Sequence, residues 1–331
     1  MKYLIIGGTG NLSDSVVDWL AEKKHSVTCI TRGNQDVIEK AKKEIGINFI
    51  NVDDINQNNK IKKGELDKKY DVVVDFVCYS GIHLKKRFEW IREICSMAYI
   101  FISTTAFYKR STQLVDAYQE DKAIVSKEWD YATSKYETEV ILKSLAKNCD
   151  FRTIVIRLGH TIGSLIPVNL GNPGHAYIDF LSETNKVPFI GSIDNDWMIG
   201  SSKGIYKILD ILPNVIEGLP HYDVFHYSSA KTTWREIYEC LFKTMHIGRP
   251  EFIEKEMSTI ESITPEWIPS IKYHKIFPDL YDISKIKNIF GELENESIQK
   301  IISRAYRRNL MRDKESNYEY NLKRMYKILN A

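Results

Sequence analysis

The apolar run Tyr3-Leu4-Ile5-Ile6 breaks into Gly7-Gly8-Thr9-Gly10-Asn11-Leu12-Ser13, after which Val16, Val17, Trp19 and Leu20 recur at helical spacing. That order predicts strand, glycine turn and helix. Glycines in such a turn let the backbone approach a pyrophosphate, and the helix behind it offers the anion its unpaired N–H groups and positive end. Gly7, Thr9, Gly10, Asn11 and Leu12 are therefore the first candidate cofactor contacts. Ser13 occupies the third glycine position, where it is expected to loosen helix-to-strand packing slightly. A turn of this kind belongs to a Rossmann-type, doubly wound parallel α/β sheet.

The second strand, Ser26 to Thr31, ends in Thr31 and Arg32 where such a fold would put an Asp or Glu to bind the adenosine ribose. A guanidinium in place of that carboxylate suits a 2′-phosphate, which Arg grips with two parallel donors. NADP is the expected cofactor, with NAD as the alternative. Residues 35 to 45 read as a surface helix closed by Gly46, and residues 47 to 52 as a third strand running into Asp53-Asp54-Ile55. Asp54 either holds the adenine amine or caps a helix. Asp71 to Cys78 is too continuously apolar for a strand with one wet face, so it reads as a central parallel strand, the fourth. Phe76, near its end, is the cofactor contact expected there. Tyr99 to Ile102 makes a fifth strand and puts Ser103 to Tyr108 at its carboxyl end, where open α/β sheets bind ligands.

Tyr131-Ala132-Thr133-Ser134-Lys135 falls in a helical run from Tyr131 to about Lys147, with Asp130 as the expected cap. Residues four apart on a helix share a face. A tyrosine gives up its proton near neutral pH only beside a positive charge, and a lysine one turn along is the source of it. The pair is a candidate proton-transfer device, and the Thr104 hydroxyl is placed to hold a substrate oxygen. Residues 109 to 129 read as a loop over the site, and Phe151 to Arg157 as the next strand. From about residue 164 the pattern is less regular. It holds a short strand at Val224 to Tyr227, amphipathic helices at 232 to 244 and 295 to 308, and a mixed-charge tail that reads as a surface helix. Two units are expected: a dinucleotide-binding domain over 1–163 and a mainly substrate-binding lobe with C-terminal helices over 164–331.

Composition removes other classes. Among 331 residues, 46 basic and 44 acidic side chains leave a net charge of +2, which makes no electrostatic case for nucleic acid. No apolar run approaches about 18 residues, so no membrane partner is expected. A start that runs from Met1-Lys2 straight into a strand, with five cysteines lacking paired spacing, predicts a cytoplasmic protein. The eight histidines show no His-x-x-x-His or similar pairing, so no metal is expected. The expected partner is a small-molecule substrate, and a homodimer stays open.

In order and spacing, Gly7 to Gly10, Ile102-Ser103-Thr104 ahead of Phe107-Tyr108, Tyr131 to Lys135 and Arg157 to Gly163 resemble the extended short-chain dehydrogenase/reductase family, in its epimerase and dehydratase branch. Softer echoes at Trp234 and at Asp282 to Lys287 ahead of Phe290-Gly291 extend the resemblance to about residue 295. It implies Tyr131 as acid/base, Lys135 as the residue that lowers its pKa and holds the nicotinamide ribose, and Thr104 as the group that binds the reacting oxygen. The implied activity is an oxidoreductase or epimerase acting on a hydroxyl or keto group of a small polar metabolite, sugar-like ones included. Some relatives keep the fold as non-catalytic cofactor sensors or RNA-associated proteins, but the intact Tyr131 and Lys135 favour the enzyme. Three departures from the family are visible. Thr105-Ala106 stand where sugar 4,6-dehydratases usually carry an Asp-Glu pair, which disfavours that elimination. Gly191 to Trp197 lacks the arginine with which many nucleotide-sugar enzymes hold the diphosphate. Lys109 replaces a usual glycine.

Overall fold

Val72, Val73 and Val74 are all fully buried, although successive strand residues point to opposite faces. Both faces of their strand must therefore be covered. The computed structural model describes residues 1–32, 40, 42–52, 55, 69–111, 117–121, 125–171, 173–293, 295–312 and 314–331. In chain order its strands are β1 (Lys2–Ile6), β2 (Ser26–Thr31), β3 (Asn48–Asn51), β4 (Tyr70–Asp75), β5 (Cys95–Thr104), β6 (Arg152–Leu158), β7 (His160–Ile162), β8 (Lys186–Phe189), β9 (Trp197–Ser201), β10 (Tyr222–Tyr227), β11 (Ala230–Thr232) and β12 (Glu251–Glu254). The main helices are α1 (Ser13–Glu22), α2 (Gly81–Ile94), α3 (Asp130–Ala146), α4 (Ala176–Thr184), α5 (Ser202–Val215), α6 (Trp234–Met245), α7 (Met257–Ile263), α8 (Ser284–Phe290), α9 (Ile298–Asn309) and α10 (Tyr318–Asn330).

The valines sit in the middle of a seven-stranded sheet of order β3, β2, β1, β4, β5, β6, β10, in which each pair is parallel. Tyr3, Ile5, Val72, Val74, Ile100 and Ile154 face one way, under α1, α5 and α8. Leu4, Ile6, Val73, Phe101 and Val155 face the other, under α2 and α3. This is the doubly wound α/β arrangement, and its strand order reverses beside β1, the crevice where such sheets bind dinucleotides. A second core gathers Trp197, Trp234, Leu241, Ile301, Ile302 and Met325 from α6, α9, α10 and the small sheet of β11, β9 and β7.

Several boundaries differ from expectation for physical reasons. Asp130 is the first residue of α3, not its cap: Trp129 holds the N-cap position without a side-chain bond, and the Asp130 carboxylate lies in the first turn, where the helix dipole favours it. Val224 to Tyr227, expected among the lobe's short strands, lies in β10 on the edge of the main sheet, because parallel partners far apart in sequence leave no local signal. The C-terminal tail is not only surface helix, since Met325 and Ile328 of α10 are fully buried. Most of the helix expected at 35 to 45 lies outside the described residues.

α5 crosses β10 at Gly204, where a Cβ would overlap the Tyr227 hydroxyl. That hydroxyl accepts from the Ser201 N–H (3.1 Å) and donates to the Ser201 carbonyl (2.9 Å). Gly204→Ala is expected to lower stability by about 1 to 3 kcal/mol through overpacking. The measurement is the urea midpoint at constant slope, and an unchanged midpoint would contradict the close approach.

Candidate active site

β1 delivers the chain into the glycine loop at the switch point of the sheet. Gly7 has φ +85°, and a Cβ there would stand 2.6 Å from Val77 Cγ1. Only glycine suits both conditions. Ser13 is fully buried, its hydroxyl donates to the Gly7 carbonyl and accepts from the Gly10 N–H (3.0 Å), and so it staples the turn to the first residue of α1. Thr9 is buried with its hydroxyl 3.0 Å from that of Thr31 on β2. Asn11 also ties this loop to the chain beyond β7. Its side-chain carbonyl accepts from the N–H groups of Ser164 (2.8 Å) and Leu165 (2.7 Å), and a Cβ on Gly163 would overlap its backbone oxygen. The loop is thereby clamped to the segment that follows β7. A close-approach loop of this kind, at the end of a ten-residue helix, fits a dinucleotide diphosphate on the structure's own geometry.

The expected proton-transfer residues converge at the carboxyl end of β5. Thr104 ends that strand, and its hydroxyl accepts from the Ala106 N–H (3.1 Å) and lies beside the Tyr131 phenol, whose pKa it lowers. Tyr131 keeps 39% of its surface exposed, toward Tyr79 and Trp129, whose rings lie 6.4 and 5.2 Å from its own. Its hydroxyl end is crowded: burial pushes the phenol up to about 12, Tyr79 adds to the rise, and Thr104 opposes it. Lys135 is buried one turn along, donating to the Ile102 carbonyl (2.8 Å) and lying over the rings of Phe101 (4.8 Å) and Tyr79 (4.9 Å). Burial pushes its ammonium down to about 8, against the opposing pull of Asp75 and Glu139. The phenol therefore stands above its ordinary value instead of below it as the spacing predicts, because burial disfavours the phenolate.

Of the other expected contacts, Phe76 is half-buried against the core and donates its N–H to the Ile6 carbonyl (3.1 Å), and Leu12 packs on the same core. Arg32 is exposed just beyond β2. Asp54 lies outside the described residues. Lys109 is exposed, and its carbonyl accepts from the Tyr118 hydroxyl (3.2 Å).

Sequence reasoning missed three groups. Glu139, on the Tyr131 face of α3, pairs with Arg157 of β6 (2.7 Å) and accepts from Ser103; the i, i+4, i+8 run of Tyr131, Lys135 and Glu139 was a readable signal for it. Asp75, at the end of β4, is fully buried against Arg87 of α2 (2.8 Å). Arg110, in the expected loop, is buried against Asp279 (2.8 Å). Toward the lobe, a cavity of about 340 Å³ opens between Asn11, His160, Leu165, Trp267 and Lys275. Burial pushes Lys275 down to about 7, and its ammonium is held by the carbonyls of Val168 and Gly171.

A switch-point glycine loop beside a Tyr-x-x-x-Lys helix defines a dinucleotide-binding protein of the short-chain dehydrogenase/reductase type. The profile of the NAD dependent epimerase/dehydratase family matches residues 3–186, and the chain belongs to that family. Solved structures share the fold at low identity. UDP-glucuronic acid 4-epimerase from Bacillus cereus, in complex with NAD, superposes with a TM-score of 0.68 at 13% identity, covering 94% of this chain and 99% of that one. UDP-glucose 4-epimerase from Bifidobacterium longum, in complex with NAD+ and UDP, gives 0.69 at 13%, covering 92% and 97%. dTDP-glucose 4,6-dehydratase from Bacillus anthracis, in complex with NAD, gives 0.70 at 14%, covering 93% and 96%. No curated protein matches the chain in sequence. Among the described residues, no helix is long and apolar enough to cross a membrane.

The Lys135 shift has a measurable consequence. Its folded pKa of about 8 lies below the ordinary 10.5, so between those values the unfolded chain binds more protons than the folded one. Stability from this group therefore rises with pH across that window. Lys135→Met is expected to remove that rise, so the stability of the variant relative to wild type should be greatest near pH 7 and shrink toward pH 10.5. Parallel denaturation profiles for the two proteins across the window would contradict the shift.

Proposed function

We propose that the protein is an NADP-dependent oxidoreductase or epimerase that acts on a hydroxyl or keto group of a small polar, sugar-like metabolite. The observation that carries this is the placement of Thr104, at the carboxyl end of β5, beside the Tyr131 phenol whose pKa it lowers, with Lys135 one turn along the same helix. Gly7, Thr9, Gly10, Asn11 and Leu12 are the residues that would hold the diphosphate, Arg32 the 2′-phosphate and Lys135 the nicotinamide ribose. The nicotinamide, when bound, supplies hydride transfer. Thr104 orients the reacting oxygen, and Tyr131 moves a proton at it.

At neutral pH the Tyr131 phenol is protonated and can donate to a keto oxygen, although the rise to about 12 makes it a weaker acid than an exposed tyrosine. Taking a proton from a hydroxyl demands a positive charge beside it, which Lys135 can supply by leaving the Ile102 carbonyl. A sugar-like substrate is favoured because the structural neighbours include epimerases of UDP-glucose and UDP-glucuronic acid. NADP is favoured over the NAD of those complexes because Thr31 and Arg32 end β2 without a carboxylate.

Tyr131→Phe is expected to cut turnover by about 10² to 10⁴ while leaving cofactor affinity intact. Rates near wild type on a confirmed substrate would remove Tyr131 as the proton carrier, whereas NADP binding without turnover of any substrate would transfer the protein to the non-catalytic sensors. Separately, titration with both cofactors is expected to show tighter NADP binding, with Arg32→Ala weakening NADP alone. Equal or tighter NAD binding would reverse the preference.

A further inference from the structure

The segment between α9 and α10 returns to the glycine loop. Arg312 donates from Nη1 to the Ser164 hydroxyl (2.9 Å) and the Asp14 carboxylate (3.3 Å), and from Nη2 to the Thr9 carbonyl (3.3 Å). Both side chains are buried, Arg312 to 10% and Asp14 to 6% exposure. Asp14 lies in the first turn of α1, the helix end assigned above to the diphosphate. A buried carboxylate at that end opposes a second anion unless its charge is balanced. Burial raises the Asp14 pKa, and Lys42, Arg308 and Arg312 pull it back. Lys42 and Arg308 also bind Asp18, whereas Arg312 joins Asp14 to the backbone of the loop itself.

We propose that Arg312 is a cofactor-affinity residue: by balancing Asp14 and bracing the Thr9 carbonyl, it lets the dinucleotide diphosphate share the end of α1 with a buried carboxylate. The inference rests on the dinucleotide reading of the glycine loop. It extends the cofactor site to a stretch of chain some 300 residues away from that loop, through hydrogen bonds spanning 298 and 303 positions. Because NADP and NAD share the diphosphate, Arg312 acts on both, unlike Arg32.

The test is fluorescence titration of NADPH and NADH into the full chain as wild type, Arg312→Gln, Asp14→Asn and the double variant, each melted thermally without dinucleotide to establish its fold. Arg312→Gln is expected to weaken both dinucleotides by about tenfold, or about 1.4 kcal/mol. Adding Asp14→Asn should restore most of that loss, because it removes the unbalanced charge. Unchanged affinity in Arg312→Gln, or a double variant as weak as the single, overturns the proposal. Should Arg312→Gln not fold, Asp14→Asn alone is expected to bind at least as tightly as wild type, and weaker binding overturns the proposal equally. A wild-type chain that takes up neither dinucleotide refutes the proposed function, whereas tight wild-type binding with unchanged Arg312→Gln refutes only the role of Arg312.

Discussion

Arg157 and Glu139 form a buried ion pair on which the geometry of the site depends. Three bonds join the guanidinium to the carboxylate at 2.7 to 3.2 Å, Ser103 donates to the same carboxylate, and Arg157 also donates to the Tyr108 hydroxyl (2.9 Å) and the Glu120 carbonyl (2.7 Å). Desolvating such a pair offsets most of its attraction, so it adds little net stability, but removing one partner typically costs about 3 to 5 kcal/mol. Its effect is positional. Tyr131, Lys135 and Glu139 are spaced by four along α3, and fixing Glu139 against β5 and β6 sets the rotation of the whole helix. That rotation brings Tyr131 to Thr104 and Lys135 to the Ile102 carbonyl.

A second buried network ties the sheet to the lobe. Thr105 donates to the Tyr281 hydroxyl (2.7 Å), Arg110 reaches Asp279 and Tyr281, and His274 meets Asp279 at 2.9 Å. Burial favours the neutral acid, yet Arg110 and His274 hold the Asp279 carboxyl well below its usual range, and burial itself pushes His274 down to about 4. Thr105 and Ala106 occupy the positions where related dehydratases would carry acids, and here the threonine serves architecture. The start of the stretch that reads as a loop is thereby anchored at Arg110.

The two ionisable groups of the Tyr-x-x-x-Lys pair respond to burial in opposite directions, the phenol rising to about 12 and the ammonium falling to about 8. Both shifts favour the neutral forms. Spacing along a helix puts the two groups on one face, while the ammonium's hydrogen bond goes to the Ile102 carbonyl.

By itself the sequence determined the parallel sheet and its central strand, because period, β-branched runs and glycine turns are local signals. It also placed Gly7, Thr104, Tyr131 and Lys135 at strand ends or on one helix face, since those positions follow from spacing alone. Only the tertiary structure decided that Asn11 binds Ser164 and Leu165, that Ser13 staples the glycine turn, and that β10 closes the sheet edge. The reach of Arg312 to Asp14 and the pairing of Asp75 with Arg87 belong to the same group. These are contacts between distant segments, whose energies come from burial and charge balance in a packed interior. No local pattern encodes them, because each partner alone reads as an ordinary polar residue of its own element.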